Sequence, residues 1–303
     1  YLAAASDKRG ADTNLPSLRE VVHIFCTSED INNLAYALTI KAATEQVWLP
    51  SIRALLDRLR GLAEAGAAVP LLAHTHGQPA TPVTIGKEMA VFAHRLSRQI
   101  TRVEATEYLG KINGATGTWA AHVVSVPGAD WPTLARSFVE GLGLTWNPLT
   151  TQIESHDWQA ELYSDVARAG RIAHNLATDA WTYISMDYFH QNLAAQGSTG
   201  SSTMPHKVNP IRFENAEANL EVSNALLDSL GTTLVTSRMQ RDLTDSTTQR
   251  NVGVAFGHAV LAYDNLVRGL DGIEINAARM AQDLDANWAV LGEAVQQAMR
   301  AAA

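Results

Sequence analysis

One stretch of the sequence, "GSTGSSTMPHKVNP" at 197–210, interrupts Ala- and Leu-rich neighbours with hydroxylated residues, prolines, a His, a Lys and an Asn. A phosphate-binding P-loop needs Gly immediately before its Lys, and because His206 precedes Lys207 that motif is excluded. Lys207 nevertheless stands just before a predicted helix start, where backbone N–H groups and a cation together favour anions. The alternative interpretation is a flexible linker in which Asn209 only caps the helix.

A histidine and a glutamate could supply acid–base chemistry. His76 lies between small residues in "THGQPATP", although a lone histidine is more often a structural hydrogen-bonding residue than a catalyst. His74 precedes it by two residues, but no acidic partner or HExxH pattern accompanies the pair, so zinc is only weakly indicated. Glu214 follows Lys207 by seven residues, about two helical turns, which places both near one face of the predicted helix.

The segment "QRDLTDSTTQRN" concentrates side chains that could bind a phosphate or a carboxylate. Ser246 and Arg250 are four residues apart, so on a helix they share a face and could hold one anionic group. Arg241 could contribute a further cation, or could form an ordinary ion pair with Asp245, worth about 0.3–0.5 kcal/mol. The sequence leaves both interpretations open.

Helices must position these residues, because apolar side chains recur at three- and four-residue steps through most of the chain. Thr81 with Pro82, and Asn209 with Pro210, each resemble a helix cap followed by proline at the first helical position. "HTHGQPATP" and "GKINGATG" are predicted to be loops, and "TTQIESHD" only a capped helix start. The helices are predicted at about 29–65 with a kink at Pro50, 82–108, 131–141, 157–190, from 210 to beyond 226, 244–270 and 276–302.

The predicted fold class is all-α, a bundle of long helices. No alternating strand pattern of useful length appears. Helices of this length bury their apolar stripes best against one another, which predicts a bundle.

Composition excludes several classes of protein. Of 303 residues 46% are hydrophobic and 18% charged, and no apolar run reaches the roughly 20 residues that cross a bilayer, so no membrane partner is predicted. The net charge of −8 and the scattered basic residues argue against nucleic acid. Cys26 is the only cysteine, which excludes an intrachain disulfide and favours a cytoplasmic location. The start at Tyr1 without Met, and the helical pattern that runs to the last residue, predict an internal piece of a longer chain.

Several stretches together resemble the fumarase/aspartase superfamily of lyases. "GSSTMPHKVNP" matches the superfamily's signature loop, G-S-S-x-M-P-x-K-x-N-P, at every fixed position. The more selective resemblance, covering essentially the whole chain, is to the bacterial adenylosuccinate lyase family. It rests on the segments "TSEDINN", "THGQPATPVTIGKEMA", "LGKINGATG", "NPLTTQIESHD" and "SRMQRDLTDSTTQRN".

The resemblance implies β-elimination of fumarate from two succinyl-nucleotides, adenylosuccinate and the succinyl-carboxamide ribotide of the purine pathway. Ser201 is similar to the family's general base and His76 to its general acid, with Glu214 as the carboxylate partner of His76. Lys207 and Asn209 are similar to the groups that steady the carboxylate of the carbanion. The substrate-binding positions implied are Thr27, Ser28, Gln152, Arg241, Ser246 and Arg250.

The resemblance also implies an assembly and a domain plan. The expected partners are three further copies of the chain. Together the four copies form a homotetramer in which each active site contains residues of three subunits. No cofactor and no metal is expected. Upstream His, Arg and Tyr residues of the family have no counterpart in this sequence. The domains are predicted as 1–26, a remnant of an N-terminal domain; 27–275, the central bundle; and 276–303, the start of a C-terminal region. Alternatives are another lyase of the superfamily, such as argininosuccinate lyase or fumarase, or a non-catalytic structural protein on the same fold.

Overall fold

The computed structural model describes residues 21–192, 203–204 and 207–303, so Ser201 lies outside the described residues. Within that part of the chain, long helices are joined by short strands. In chain order the elements are α1 Ser28–Ala43, a π-helical turn Thr44–Trp48, α2 Leu49–Ala65, β1 Pro70–Thr75, β2 Gln78–Thr84, α3 Ile85–Glu104, β3 Leu109–Gly110, α4 Ala120–Ser125, α5 Trp131–Gly141, β4 Thr145–Trp146, α6 Asp157–Ser185, β5 Phe189–Gln191, α7 Ile211–Leu234, α8 Thr244–Thr248, a 3₁₀ turn Gln249–Asn251, α9 Val252–Asp271, β6 Ile273–Ile275, α10 Ala277–Asp285, a 3₁₀ turn Trp288–Leu291 and α11 Gly292–Ala302.

The all-α class is confirmed. The helices α6 and α7 have 29 and 24 residues, whereas the longest described strand, β2, has seven. The strands form three separate two-stranded pairs, so none of them builds a layer of the fold. No helix among residues 21–192, 203–204 and 207–303 has the length and apolar character required to cross a membrane.

The segment predicted as the loop "HTHGQPATP" is instead a β-hairpin, so that prediction was wrong. β1 and β2 pair antiparallel, with Thr75 opposite Gln78, which leaves His76 and Gly77 as a two-residue connection. Both residues have positive φ, 53° and 72°, as a type I′ turn requires. The strands contain few alternating apolar residues and the turn is His-Gly rather than Asn-Gly, so the usual hairpin signals are weak.

The predicted start of the next helix was also wrong. Pro82 lies in β2, and α3 begins only at Ile85. Thr84 is the helix cap, because its side chain accepts a hydrogen bond from the Lys87 backbone N–H at 3.2 Å. Threonine therefore caps this helix as expected, but three residues later than Thr81.

Four predicted helices are shorter or interrupted. α6 ends at Ser185 rather than at His190, because Asp187 adopts the left-handed conformation, with φ of 61°, that terminates a helix. The segment 244–270 changes to a 3₁₀ turn at Gln249–Asn251, and the segment 276–302 is divided by the turn Trp288–Leu291. The first long helix contains the π-helical turn immediately before α2, at the place where a kink at Pro50 was predicted.

The chain forms two compact units. The first combines residues up to Ala43 with Thr106–Glu161 and Leu230–Arg250; the second combines Thr44–Ala105, Leu162–Ser229 and Asn251–Ala303. The predicted domain boundaries at 26 and 275 stay a prediction.

In the second unit, α2 packs against α3 and α9, and β1 packs against α10. The α2–α3 contact depends on two glycines. The Gly86 backbone N–H donates to the Gly66 carbonyl at 3.0 Å, and a Cβ on Gly86 would lie 2.4 Å from the Ala63 carbonyl oxygen. In the first unit, α1 contacts β3, which pairs with β4.

Candidate active site

The predicted substrate-binding pair Thr27–Ser28 lies at the start of α1. The Thr27 backbone N–H donates to Asp30 Oδ2 at 2.9 Å, and the Asp30 N–H donates to the Thr27 carbonyl at 3.1 Å. Thr27 is half-buried and Ser28 is exposed. Among the described residues neither hydroxyl has a hydrogen-bond partner, so both are available to a ligand at the positive end of the helix.

Asp30 belongs to a buried ion pair. Lys111 Nζ lies 2.8 Å from Asp30 Oδ1, and both side chains are completely inaccessible to solvent. The same carboxylate accepts backbone N–H bonds from Asn113 at 3.0 Å and from Gly114 at 3.2 Å. Burial lowers the pKa of the Lys111 ammonium, although the hydrogen bond from Lys111 to Asp30 opposes that shift.

The turn that carries Lys111, residues 110–117, connects two predicted substrate-binding segments. The Lys111 backbone N–H donates to Asn33 Oδ1, on α1, at 2.9 Å, and Asn33 Nδ2 donates to the Lys111 carbonyl at 3.0 Å. On the other side, Asn113 Nδ2 donates to Thr150 Oγ1 at 2.7 Å, and Gln152 Nε2 donates to the Ala115 carbonyl at 2.9 Å. This turn therefore fixes Gln152 relative to the start of α1.

Gly117, in the same turn, should tolerate no side chain. Its φ is +77°, and a Cβ there would lie 2.2 Å from the Thr150 carbonyl oxygen. We expect Gly117→Ala to lower the free energy of unfolding by about 3 kcal/mol, because a left-handed alanine is strained and the Thr150 backbone must move. Denaturant unfolding measures the effect. Gly128→Ala, at a glycine with no atom within 4 Å of the added Cβ, is the control; an equal loss in both variants would contradict the packing argument.

Arg241 is held by two carboxylates. Its guanidinium lies 3.0 Å from Glu29 Oε1 and 2.7 Å from Asp245 Oδ2, and its side chain is 16% exposed. The Arg241–Asp245 ion pair considered from the sequence is therefore present. Binding of a substrate anion by Arg241 stays a prediction, and such an anion would have to share the guanidinium with these carboxylates.

Asp245 continues this network to a buried histidine. His156 Nε2 lies 3.2 Å from Asp245 Oδ2, and the side-chain amide of Gln249 lies 3.4 Å from His156 Nδ1. Burial raises the pKa of the Asp245 carboxyl, but hydrogen bonds from His156 and Arg241 outweigh burial and hold that pKa below the ordinary aspartate value. His156 has a φ of 60°, a conformation that is strained for a residue with a side chain and is frequent at functional sites.

Ser246 and Arg250 were predicted to share one face of a helix because they are four residues apart. That prediction was wrong, since the two residues do not lie on one continuous α-helix. α8 ends at Thr248, and Arg250 lies in the following 3₁₀ turn, where it is exposed. Tighter winding rotates Arg250 relative to Ser246 compared with an α-helix. Joint binding of one anionic group by the two residues stays a prediction.

The second unit contains the other predicted catalytic residues. His76, at the strained turn of the β1–β2 hairpin, is exposed, and no hydrogen bond or ion pair of its side chain occurs among the described residues. Glu214, on the first turn of α7, accepts a hydrogen bond from Trp181 Nε1 at 3.2 Å. Lys207 and Asn209 are both exposed just before α7. The pairing of His76 with Glu214 stays a prediction.

His122 makes the first unit sensitive to acid. It is 5% exposed and packs edge-on against the Trp131 ring, with 4.8 Å between ring centroids. Burial lowers the pKa of the imidazole, and the neighbouring Asp30 charge only partly opposes this shift. Between the folded pKa and the unfolded value near 6.5, the unfolded state binds more protons, so this contribution to stability is complete above about pH 6.5 and is lost as the pH falls.

We therefore expect His122→Phe, which keeps the ring contacts and cannot be protonated, to lose less stability than the wild type between pH 7.5 and 5.5. The difference is limited to about 1.4 kcal/mol per pH unit, the value for one proton. Urea unfolding at both pH values measures it. The same pH dependence in both proteins would show that His122 is not the titrating group.

The sequence analysis missed the buried ionisable residues of this site. Lys111 was predicted to lie in a loop, and Glu154 and His156 in a capped helix start, yet all three are buried. Glu154 accepts hydrogen bonds from Trp158 Nε1 at 3.0 Å and from the His156 N–H at 3.1 Å. The available signal was an accumulation of ionisable residues beside apolar ones, which does not by itself distinguish a solvated turn from a buried network.

Comparison with known proteins shows the family of the chain. The lyase family model matches residues 4–256, and the model of the adenylosuccinate lyase C-terminal region matches residues 237–303. Adenylosuccinate lyase of Escherichia coli K12 is 50% identical over 286 residues, which cover 94% of this chain and 62% of that enzyme. The Vibrio cholerae enzyme is 48% identical over 295 residues, which cover 97% of this chain and 64% of that enzyme. The chain therefore spans less than two thirds of the length of these relatives.

A solved structure is similar in fold. The 3-carboxy-cis,cis-muconate lactonizing enzyme from Pseudomonas putida aligns over 98% of this chain and 68% of its own, with a TM-score of 0.76 and 23% identity. The likeness concerns the helical fold alone. The lyase family model matches most of the chain, and the two bacterial relatives described above are adenylosuccinate lyases. The protein therefore belongs to the lyase family of the fumarase/aspartase superfamily.

Proposed function

We propose that the whole protein is an adenylosuccinate lyase. It releases fumarate from adenylosuccinate, which leaves AMP, and from the succinyl-aminoimidazole-carboxamide ribotide of purine biosynthesis. The observation that carries the proposal is the connection of Thr27, Gln152 and Arg241, three predicted substrate contacts, through hydrogen bonds and ion pairs of the first unit. Hydroxyl, amide and guanidinium groups held in this way suit a ligand with both hydrogen-bonding groups and anionic groups.

The chemistry requires a base and an acid on either side of one C–N bond. In our proposal Ser201 removes the proton from the carbon next to a succinyl carboxylate, and electrons move into that carboxylate to give an aci-carboxylate. The C–N bond then breaks, and His76 donates a proton to the departing nitrogen, so that fumarate leaves. Glu214 holds the His76 ring and stabilises its charged form.

Lys207 and Asn209 stabilise the aci-carboxylate, since a cation and an amide at this position favour the charge that develops in the transition state. Both are exposed beside the start of α7, where the N-terminal backbone groups of the helix also favour an anion. A serine hydroxyl is a weak base in water, so Ser201 requires a desolvated and positively charged environment, which closure around the substrate supplies.

The assembly completes the proposal. The protein is a cytoplasmic homotetramer in which the "TSED", "THGQ" and "GSS" regions of one active site come from different chains. Exposed apolar side chains on helices of this chain, among them Leu261 on α9 and Val47 before α2, are consistent with burial between copies. No metal and no cofactor takes part.

A substrate panel tests the proposal. The whole protein is incubated with adenylosuccinate, argininosuccinate and malate, and the products are measured. We expect fumarate and AMP in equal amounts from adenylosuccinate. Turnover of argininosuccinate or malate instead would assign the protein to another lyase of the superfamily, and turnover of none would favour a non-catalytic structural protein.

A further inference from the structure

We propose that the Asp30–Lys111 ion pair is a positioning device for substrate binding: it holds the Thr27–Ser28 turn and the turn 110–117 in the geometry that receives the succinyl-nucleotide. This inference rests on the proposed function and adds to it residues that do not themselves touch the substrate. The distances around the Asp30 carboxylate carry the argument.

Asp30 brings separate parts of the backbone to one carboxylate. Besides Lys111 Nζ, its oxygens accept the backbone N–H groups of Thr27 at 2.9 Å, Asn113 at 3.0 Å and Gly114 at 3.2 Å. The residues of the turn are more than 80 positions away from Asp30 in the sequence. One carboxylate therefore fixes the start of α1 against a distant turn, and no apolar side chain could accept those N–H bonds.

Lys111 supplies the counter-charge of that carboxylate. A buried carboxylate loses its hydration, and the Lys111 ammonium, 2.8 Å from Asp30 Oδ1, offsets that cost by direct charge pairing. The Lys111 ammonium also donates to the Gly114 carbonyl at 3.3 Å, so it holds the turn from a second direction. Lys111 thus acts on the substrate site through Asp30.

Stability alone does not account for this pair. Replacing a buried ion pair by uncharged residues of similar volume is often neutral or stabilising, because both charges lose their hydration on burial. The Lys111 pKa is lowered by burial, in agreement with such a cost. The pair does, however, connect two predicted substrate contacts. Asp30 accepts a hydrogen bond from the Thr27 N–H, and in the turn 110–117 the Ala115 carbonyl accepts one from Gln152 Nε2 at 2.9 Å.

The test is the double variant Asp30→Asn/Lys111→Met of the whole enzyme, assayed with adenylosuccinate. Both charges disappear together, so no unpaired charge is left buried. We expect KM to rise about 10-fold or more, because misplaced binding groups weaken the substrate complex, while the protein remains folded by circular dichroism. The matched control is Arg136→Met/Glu140→Gln, which removes an exposed ion pair of the same unit and should leave KM unchanged.

A merely structural role would have a different signature. Partial unfolding lowers the amount of active enzyme, so kcat per total protein would fall while KM stayed the same. That result overturns the proposal, and so do wild-type values of both kcat and KM. If the double variant does not fold, Asp30→Glu replaces it, since this variant keeps the charge and displaces the carboxylate, and the same rise in KM is expected. Absence of turnover in the wild type would instead refute the proposed function, and with it this inference.

Discussion

Ser201→Ala will lower kcat of the whole enzyme on adenylosuccinate by a factor of about 10²–10⁴, the range for loss of a general base. The substrate can still bind, because its contacts in our proposal are made by other residues, so KM should change much less than kcat. The reason is chemical: the proton beside the succinyl carboxylate is weakly acidic, and alanine has no atom that can accept it. Single-turnover measurements of fumarate formation isolate the step.

The control for this prediction is Thr203→Ala. Thr203 occupies the variable position of the pattern G-S-S-x-M-P-x-K-x-N-P, so its replacement should leave kcat within a few-fold of the wild type. Near-normal turnover by Ser201→Ala would show that another group removes the proton. An equal loss in both variants would indicate that any change in this stretch impairs the enzyme.

Asp30→Asn will destabilise the folded protein by about 3–5 kcal/mol at pH 7, the range observed when one partner of a buried ion pair is removed. Lys111 then remains in the interior without the carboxylate that accepts its hydrogen bond, and among the described residues the Gly114 carbonyl, at 3.3 Å, is its remaining acceptor. Because burial lowers the Lys111 pKa and Asp30 opposes that shift, loss of Asp30 lowers the Lys111 pKa below its value in the wild type. Guanidinium unfolding of wild type and variant measures the difference.

The pH dependence identifies the cause. In the variant, Lys111 has a lower pKa in the folded state than its value near 10.4 in the unfolded chain, so the unfolded state binds more protons in that window. Stability of the variant relative to the wild type should therefore improve from pH 7 to pH 9.5. Adding Lys111→Met to Asp30→Asn should recover most of the loss at pH 7. A single variant within about 1 kcal/mol of the wild type would contradict burial of the charge.

The sequence predicted those parts of the site that depend on local pattern. The first long helix was predicted to start at about residue 29, and α1 begins at Ser28, with the Asp30 carboxylate accepting a hydrogen bond from the Thr27 N–H. The proline pattern at Pro210 correctly preceded α7. Apolar side chains that recur at three- and four-residue steps predicted the all-α class, because this spacing places them on one face of a helix.

Features that depend on distant contacts could not be predicted in the same way. Lysine is almost never fully buried unless paired, and the partner of Lys111 lies 81 residues away. The hairpin at His76 forms although histidine occupies the turn position where asparagine is usual, because pairing of β1 with β2 compensates for a strained histidine. Breaks such as the 3₁₀ turn at Gln249 reflect tertiary contacts, here with buried His156, which outweigh local helix preference.

The central claim, an active site built from different copies of the chain, is tested most directly by mixing two inactive variants. His76→Ala and Ser201→Ala are purified separately, partially dissociated together, reassembled and assayed for fumarate release from adenylosuccinate. If the two residues reach one site from different subunits, some sites in the mixed oligomers contain neither substitution, and activity returns to a level that neither variant has alone. A mixture that exchanges subunits and still shows only the residual activity of its parts would contradict the account.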